Sequence, residues 1–151
     1  MALKDELERK PRKRGFEGKL PDMSKIAEKF NSQDVRVRFN ALDAWADCAR
    51  DNPGNPEVLK YLPEIIRHFS EMNAQVLGAA LDAWKAAAKA NPGNEDVLKY
   101  TQNVAEKFMD PDELVRYAAI SAWEVAAKAN HGHPMIENTR EAYEAEQRKK
   151  G

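Results

Sequence analysis

The chain is predicted to be all-α, an array of about three helical hairpins closed by a C-terminal capping helix, on three observations. Trp45, Trp84 and Trp123 stand 39 residues apart. Asn52, Asn91 and Asn130 keep the same interval, as do Phe30, Phe69 and Phe108. Apolar residues between these landmarks recur at helical spacing and are bounded by proline, glycine and capping residues. A fixed period without gaps marks a repeat architecture. Aligning residues 52–90 with 91–129 makes roughly half of the positions identical, which settles the register.

The 151 residues divide on composition into a basic arm, residues 1–19, and one repeat domain, residues 20–151. The repeats run over about 20–51, 52–90 and 91–129, with the cap over 130–151. Met1 to Lys19 carry seven basic and four acidic residues, and Pro11, Gly15 and Gly18 break any helix there. The apolar fraction of 42% and net charge of −1 are ordinary for a soluble chain that buries a core. Cys48 is the single cysteine, which excludes an intrachain disulfide and a cysteine-based zinc site. It falls in register with Ala87 and Ala126 and reads as a small buried residue. No run is apolar enough for a membrane span and nothing behind Met1 resembles a signal peptide. A monomeric cytoplasmic protein without membrane contact is the expectation.

Repeat one starts at Leu20-Pro21-Asp22, with Pro21 suited to a first helical turn and Met23, Ile26, Ala27 and Phe30 on one stripe. After the polar turn Asn31-Ser32-Gln33-Asp34, its second helix carries Val37, Ala41, Trp45 and Cys48 inward and stops at Asn52-Pro53-Gly54. Repeat two pairs a helix near 56–70, kinked by Pro63, with one near 73–90. Repeat three pairs 95–108 with 111–129, the latter opened by a capping Asp110 and a first-turn Pro111. The final helix, near 134–148, has few apolar residues, as the terminal element of an array requires.

These units resemble HEAT repeats. The resemblance is carried by Asp110-Pro111-Asp112-Glu113-Leu114-Val115-Arg116-Tyr117-Ala118-Ala119 and by Leu62-Pro63, and it covers residues 20–129. It implies a right-handed α-α superhelix in which a turn Asp and a helix Arg form a polar ladder between repeats. Repeat two departs from that pattern with Glu71 and Leu77, and repeat one has Ser32 and Arg38, so Leu77 interrupts a continuous ladder.

The tryptophan column lies on the apolar stripe with Val37, Val76 and Val115, and reads as buried packing rather than a ligand cage. His131 and His133 lack further ligands for a metal, and neither Ser121 nor His68 belongs to a triad pattern. With no phosphate-cradling glycine loop either, the expectation is a protein without catalysis, cofactor or metal.

The outward face of the second helices is the candidate site. Opposite Trp84 lie Gln75, Gly78, Asp82, Lys85 and Lys89. Their equivalents are Arg36, Phe39, Asp43, Ala46 and Arg50 in repeat one, and Leu114, Tyr117, Ser121, Glu124 and Lys128 in repeat three. Phe39 and Tyr117 flank Gly78, and aromatic and Arg residues around a dip are what an interface anchor site offers. The competing reading turns both aromatics onto neighbouring repeats. The set expected to meet a partner is Arg36, Phe39, Asp43, Gly78, Asp82, Lys85, Tyr117, Ser121 and Glu124, on the concave side of stacked hairpins.

Two functions follow. The first is a protein-binding adaptor that takes a protein or peptide on that face. The second is association with nucleic acid through Arg9, Lys10, Arg12, Lys13 and Arg14. Residues 20–133 hold 13 basic and 17 acidic residues, so nucleic-acid affinity falls to the arm alone. HEAT-like DNA glycosylases, by contrast, line their groove with Lys and Arg. The arm has no stacking aromatic before Phe16, which favours weak, non-specific binding. In a salt titration against mixed-sequence DNA and RNA, the full chain should lose affinity by about one log unit per log unit of salt for each phosphate neutralised. A chain starting at Lys19 should not bind; equal binding by both would remove the arm from consideration.

Overall fold

In the computed structural model the described residues are 20–150, and the expected arm lies outside them. α1 (Met23–Glu28) runs into a 3-10 turn, Lys29–Asn31. Its cap is Asp22, whose carboxylate accepts from the Ser24 and Lys25 N–H groups at 3.1 and 3.4 Å, so Pro21 precedes the helix instead of opening it. α2 (Val35–Asp51) is capped by Asp34 through the Arg36 N–H at 2.9 Å. α3 (Pro56–Leu59), α4 (Leu62–Arg67) and a 3-10 turn (His68–Ser70) then lead to α5 (Ala74–Ala90). The same order returns as α6 (Glu95–Leu98), α7 (Thr101–Ala105), a 3-10 turn (Glu106–Met109) and α8 (Glu113–Ala129). α9 (Pro134–Lys150) is unbroken. No strand occurs among the described residues, and none of their helices is long and apolar enough to cross a membrane.

α8 starts two residues later than its sequence suggests. Asp112 is the cap, accepting from the Leu114 N–H at 2.8 Å, while Asp110 accepts from the Asp112 N–H at 2.8 Å and so forms a turn around Pro111. Short polar side chains compete for local backbone donors, and here the second aspartate takes the helix end.

The helices form two layers. α2, α5 and α8 lie side by side with α5 touching both neighbours, while α1, α4 and α7 pack beneath α2, α5 and α8 respectively. α9 continues the lower layer, packing on α7 and its 3-10 extension. Trp45, Trp84, Phe30, Leu42, Ile65, Leu81, Leu98 and Ile136 are wholly buried, with Trp123 and Phe108 close to it. The core is thus one continuous strip between the layers, without a separate centre for each hairpin.

The break in each first helix has a cause that its sequence does not advertise. Pro63 was expected to kink the helix of repeat two, yet repeat three breaks at the same register, at Tyr100 before Thr101-Gln102, with no proline. Pro63 instead sits in the first turn of α4, where a missing N–H costs nothing. What the breaks share is an indole. Trp45 Nε1 donates to the Val58 carbonyl at 3.0 Å, and Trp84 Nε1 donates to the Val97 carbonyl at 2.9 Å. In a continuous helix each carbonyl would accept from the N–H four residues on; at the break it accepts instead from the N–H three residues on, Tyr61 and Tyr100, each at 3.3 Å, and shares its second lone pair with the indole. Trp123 faces the unbroken α9 and donates to Thr139 Oγ1 at 2.7 Å; that hydroxyl in turn reaches the Met135 and Ile136 carbonyls at 2.9 and 3.0 Å.

The asparagines form a second ladder. Asn91 Nδ2 closes its own helix on the Ala87 carbonyl at 2.9 Å, and Asn91 Oδ1 accepts from the Gly54 N–H of the preceding loop at 2.5 Å. Asn130 does the same with Ala126 at 2.9 Å and Gly93 at 2.6 Å. Gly54 and Gly93 hold φ of 76° and 77°, the left-handed backbone that turns their N–H toward the next repeat. The Arg38 and Glu71 side chains also meet between repeats one and two, Glu71 standing where the resemblance implies a turn aspartate. Arg38 Nη2 donates to Glu71 Oε1 at 3.3 Å, and its Nε lies 3.1 Å from Oε2, within ion-pair range but off the line of a hydrogen bond. Arg116 caps its own turn at the Asp110 carbonyl, 2.8 Å away, and Leu77 is buried.

Trp84→Ala should lower the unfolding free energy by about 3–5 kcal/mol in a denaturant titration. Trp84→Phe keeps most of the ring but removes one of the two hydrogen bonds that the Val97 carbonyl accepts, and should cost about 0.5–1.5 kcal/mol. A Phe variant as stable as the wild type would show that the indole hydrogen bond contributes nothing.

Candidate functional site

The outward face of α2, α5 and α8 follows from the side that faces inward. Each long helix turns its valine, alanine and tryptophan stripe onto the lower layer, so positions opposite it meet solvent or a neighbour. Arg36, Phe39, Gly78 and Asp82 come together here, with Asp34, Val35, Gln75 and Leu114, around an open concavity of about 660 Å³. Phe39 is 39% exposed and Leu114 63%. Asp82 continues into a second concavity of about 560 Å³, shared with Arg50, Lys85, Lys89 and Val125.

Gly78 lies between Phe39 and Leu114, in the second turn of α5. It has no left-handed φ, and a Cβ built on it would meet nothing within 4 Å. Neither backbone conformation nor packing therefore calls for glycine at this point.

The remaining predicted residues are placed differently. Asp43 is exposed on α2 but lines neither concavity. Tyr117 donates its hydroxyl to Glu113 Oε2 at 2.7 Å, and Lys150 Nζ stands 5.8 Å from its ring centre. That hydrogen bond holds the Tyr117 phenol above its ordinary pKa, and Tyr117 lines neither concavity. Ser121 accepts from Lys85 Nζ at 3.3 Å. Glu124 accepts from the Tyr143 hydroxyl on α9, and this bond is the main reason the Tyr143 phenol rises to about 12. Tyr143 also stacks on Trp123, with ring centres 4.3 Å apart. The third-repeat wall of the concavity is thus Leu114, with Tyr117 turned toward the C-terminal end. Ala46, placed outward by helical periodicity, is buried because α5 packs against that side of α2; Glu124, at the same register of α8, is exposed.

Val35 and Leu114 were absent from the predicted set although they stand exposed. The signal for Leu114 is a leucine where the matching positions hold Arg36 and Gln75. Val35 sits in the first turn of α2, where periodicity says little about direction.

Groups that could carry chemistry lie elsewhere. His68 Nδ1 is 2.8 Å from Glu71 Oε2, and His133 Nε2 is 2.9 Å from Glu95 Oε2. Among the described residues no three His, Cys, Asp or Glu side chains converge as metal ligands would. Cys48 is buried, and burial, reinforced by Asp47 and Asp51, pushes its thiol up to about 11 from 9.0.

No protein-family model matches the chain, and no curated protein matches it. Among solved structures it is similar to a crystal structure described as an engineered protein, a Northeast Structural Genomics Consortium target, with a TM-score of 0.54 at 13% identity. The match covers 84% of this chain and 62% of that one, so the chain spans less than two thirds of its neighbour. At that identity the likeness is one of helical fold alone.

The Cys48 thiol stays protonated in the fold, whereas the unfolded thiol ionises near 9.0. Its contribution to stability is complete below that pH and is lost as pH rises from 9.0 toward about 11. The unfolding midpoint should fall across this window, and by less in Cys48→Ala, because the ionising group is gone. Identical pH profiles would count against the buried-thiol account.

Proposed function

We propose that the chain is a non-catalytic docking module of the HEAT-like class, stacking right-handedly, that takes a peptide or protein segment across the outward face of α2, α5 and α8. The observation that carries this reading is Gly78. A glycine inside a helix costs about 1 kcal/mol relative to alanine, and nothing within the fold requires it. The gap it leaves is walled by the exposed apolar side chains of Val35, Phe39 and Leu114, with Arg36 and Asp82 beside them. An anchor side chain from a partner would fill that gap and remove apolar surface from water on both sides. The concavity is an open groove, which suits a polymer chain better than a metabolite that must be enclosed. The HEAT-like assignment is supported by the 39-residue period, the two-layer packing and the polar last helix. The nucleic-acid reading of residues 9–14 is left to the salt titration described above.

Gly78→Ala should raise the unfolding free energy by about 1 kcal/mol, because a methyl meets open space and helix propensity improves. Gly78→Leu, which fills the gap, should keep the fold but weaken at least tenfold the peptides enriched on the wild-type chain from a random display library. Peptides that bind Gly78→Leu and Phe39→Ala as tightly as the wild type would place the docking site elsewhere.

A further inference from the structure

We propose that the partner segment is acidic, and that its carboxylates lie over a row of cations beside the apolar groove; this rests on the docking reading above. Arg50, Lys89 and Lys128 hold the same register in the three long helices, five residues beyond Trp45, Trp84 and Trp123. All three are exposed on the face that carries Phe39 and Gly78. Side-by-side helices set such residues roughly 8–10 Å apart, so the three charges form a line across the layer. Lys85 adds a fourth cation one turn inward from Lys89.

Two members of the row adjoin the apolar groove, and Lys128 extends the line beyond it. Arg50, Lys85 and Lys89 line the second concavity, and Asp82 belongs to both concavities, which makes them two halves of one trough. Arg50 is held by Asp47 at 2.6 Å, and Lys85 stands 3.6 Å from Asp82. Lys89 and Lys128 have no carboxylate within ion-pair range among the described residues. A cation in the last turn also offsets the helix dipole. That accounts for one charge per helix, but not for Lys85 or for the confluence of three cations in one concavity.

Charge and apolar surface together select the occupant. Gly78 and Lys89 are 11 residues apart on one helix, about 16 Å at 1.5 Å per residue. An extended chain covers that distance in about five residues. The fitting ligand is therefore a peptide with a leucine or aromatic side chain in the Gly78 gap and Asp or Glu residues about five positions away. Phosphate would be drawn to the same cations, but no aromatic lines their half of the trough to stack a base, and the apolar half would be left uncovered.

The test is a random peptide display selection on the full chain, followed by affinity measurement of the synthesised winners. Winners should be rich in Asp and Glu about five positions from an apolar anchor, and their affinity should fall with added salt. Lys89→Glu/Lys128→Glu should weaken them by about tenfold, and Lys89→Gln/Lys128→Gln by less, each with an unfolding midpoint near the wild type. A variant with Arg9, Lys10, Arg12, Lys13 and Arg14 all changed to Gln should bind them as the wild type does. Winners without acidic enrichment that are still lost in Gly78→Leu would overturn the acidic partner and leave the docking face standing. Winners indifferent to both Gly78→Leu and Lys89→Glu/Lys128→Glu, or no winners at all, would overturn both. Loss of binding in the arm variant alone, or displacement of the winners by mixed-sequence single-stranded DNA with no loss in Lys89→Glu/Lys128→Glu, would assign the acidic ligand to residues 9–14 and overturn the row.

Discussion

The hydrogen bond from each buried indole to the next hairpin is the interaction on which the rest of the fold depends. A tryptophan in the middle of a long helix is large enough to span both layers, and burying it removes its N–H from water. A buried donor must find an acceptor, and in an intact helix each carbonyl already points along the axis at a backbone N–H, so an acceptor aimed sideways at an indole is scarce. The chain meets this need by interrupting the following first helix at Val58-Leu59-Lys60-Tyr61 and again at Val97-Leu98-Lys99-Tyr100, where the Val58 and Val97 carbonyls accept both a backbone N–H three residues on and the indole of Trp45 or Trp84. Tryptophan and the Val-Leu-Lys-Tyr segment therefore repeat together, 13 residues apart, as two halves of one contact. Where the first helix stays whole, in α9, a threonine hydroxyl relays the bond, so the buried Thr139 side chain supplies the acceptor that a backbone carbonyl supplies to Trp45 and Trp84.

The asparagine ladder solves the matching problem at the other end of the long helices. A helix C-terminus leaves carbonyls without partners, and a loop that must turn sharply leaves N–H groups pointing outward. Asn91 and Asn130 address both with one amide, the nitrogen closing its own helix and the oxygen receiving a glycine from the preceding loop. Gly132 takes the same left-handed φ, 83°, with no such acceptor among the described residues. The indole ladder ties each long helix to the first helix of the following hairpin, and the asparagine ladder ties the ends of α5 and α8 to the loop before them, so neither draws on the groove around Gly78.

Much of this was legible from the 39-residue period alone. The long helices, the burial of the tryptophans and the polar character of α9 all follow from residue spacing, because they depend on contacts within a hairpin or on a stripe repeated in every helix. What escaped depends on which helix stands beside which. Ala46 and Glu124 share a register, but one is covered by α5 and the other meets solvent. Tyr117 matches Phe39 in position, yet Glu113 and Lys150 hold it at the C-terminal edge, leaving Leu114 to wall the groove. The breaks at Tyr61 and Tyr100 answer donors from the preceding repeat, so no local rule about Pro63 could have found the second one.

Comparing the repeats position by position separates the demands of the fold from those of the surface. Tryptophan, asparagine, phenylalanine and the small residues beside them recur because each stands at an equivalent place between the layers or at a helix end in each repeat. The outward positions are under no such requirement, and they diverge: Phe39, Gly78 and Tyr117 in one row, Arg36, Gln75 and Leu114 in another, Asp43, Asp82 and Ser121 in a third. Divergence across a layer is how a symmetric scaffold becomes an asymmetric surface, with one end apolar and the other closed by α9. Within that divergence Arg50, Lys89 and Lys128 keep a single sign of charge. The helix dipole supplies a reason for a cation in each last turn and places it at one edge of the trough, so a structural preference common to all three helices also leaves the face with one positive border. A partner that reads this face has two unlike features to satisfy, a gap at Gly78 and a cationic edge some three helical turns away, and meeting both fixes its orientation as well as its position.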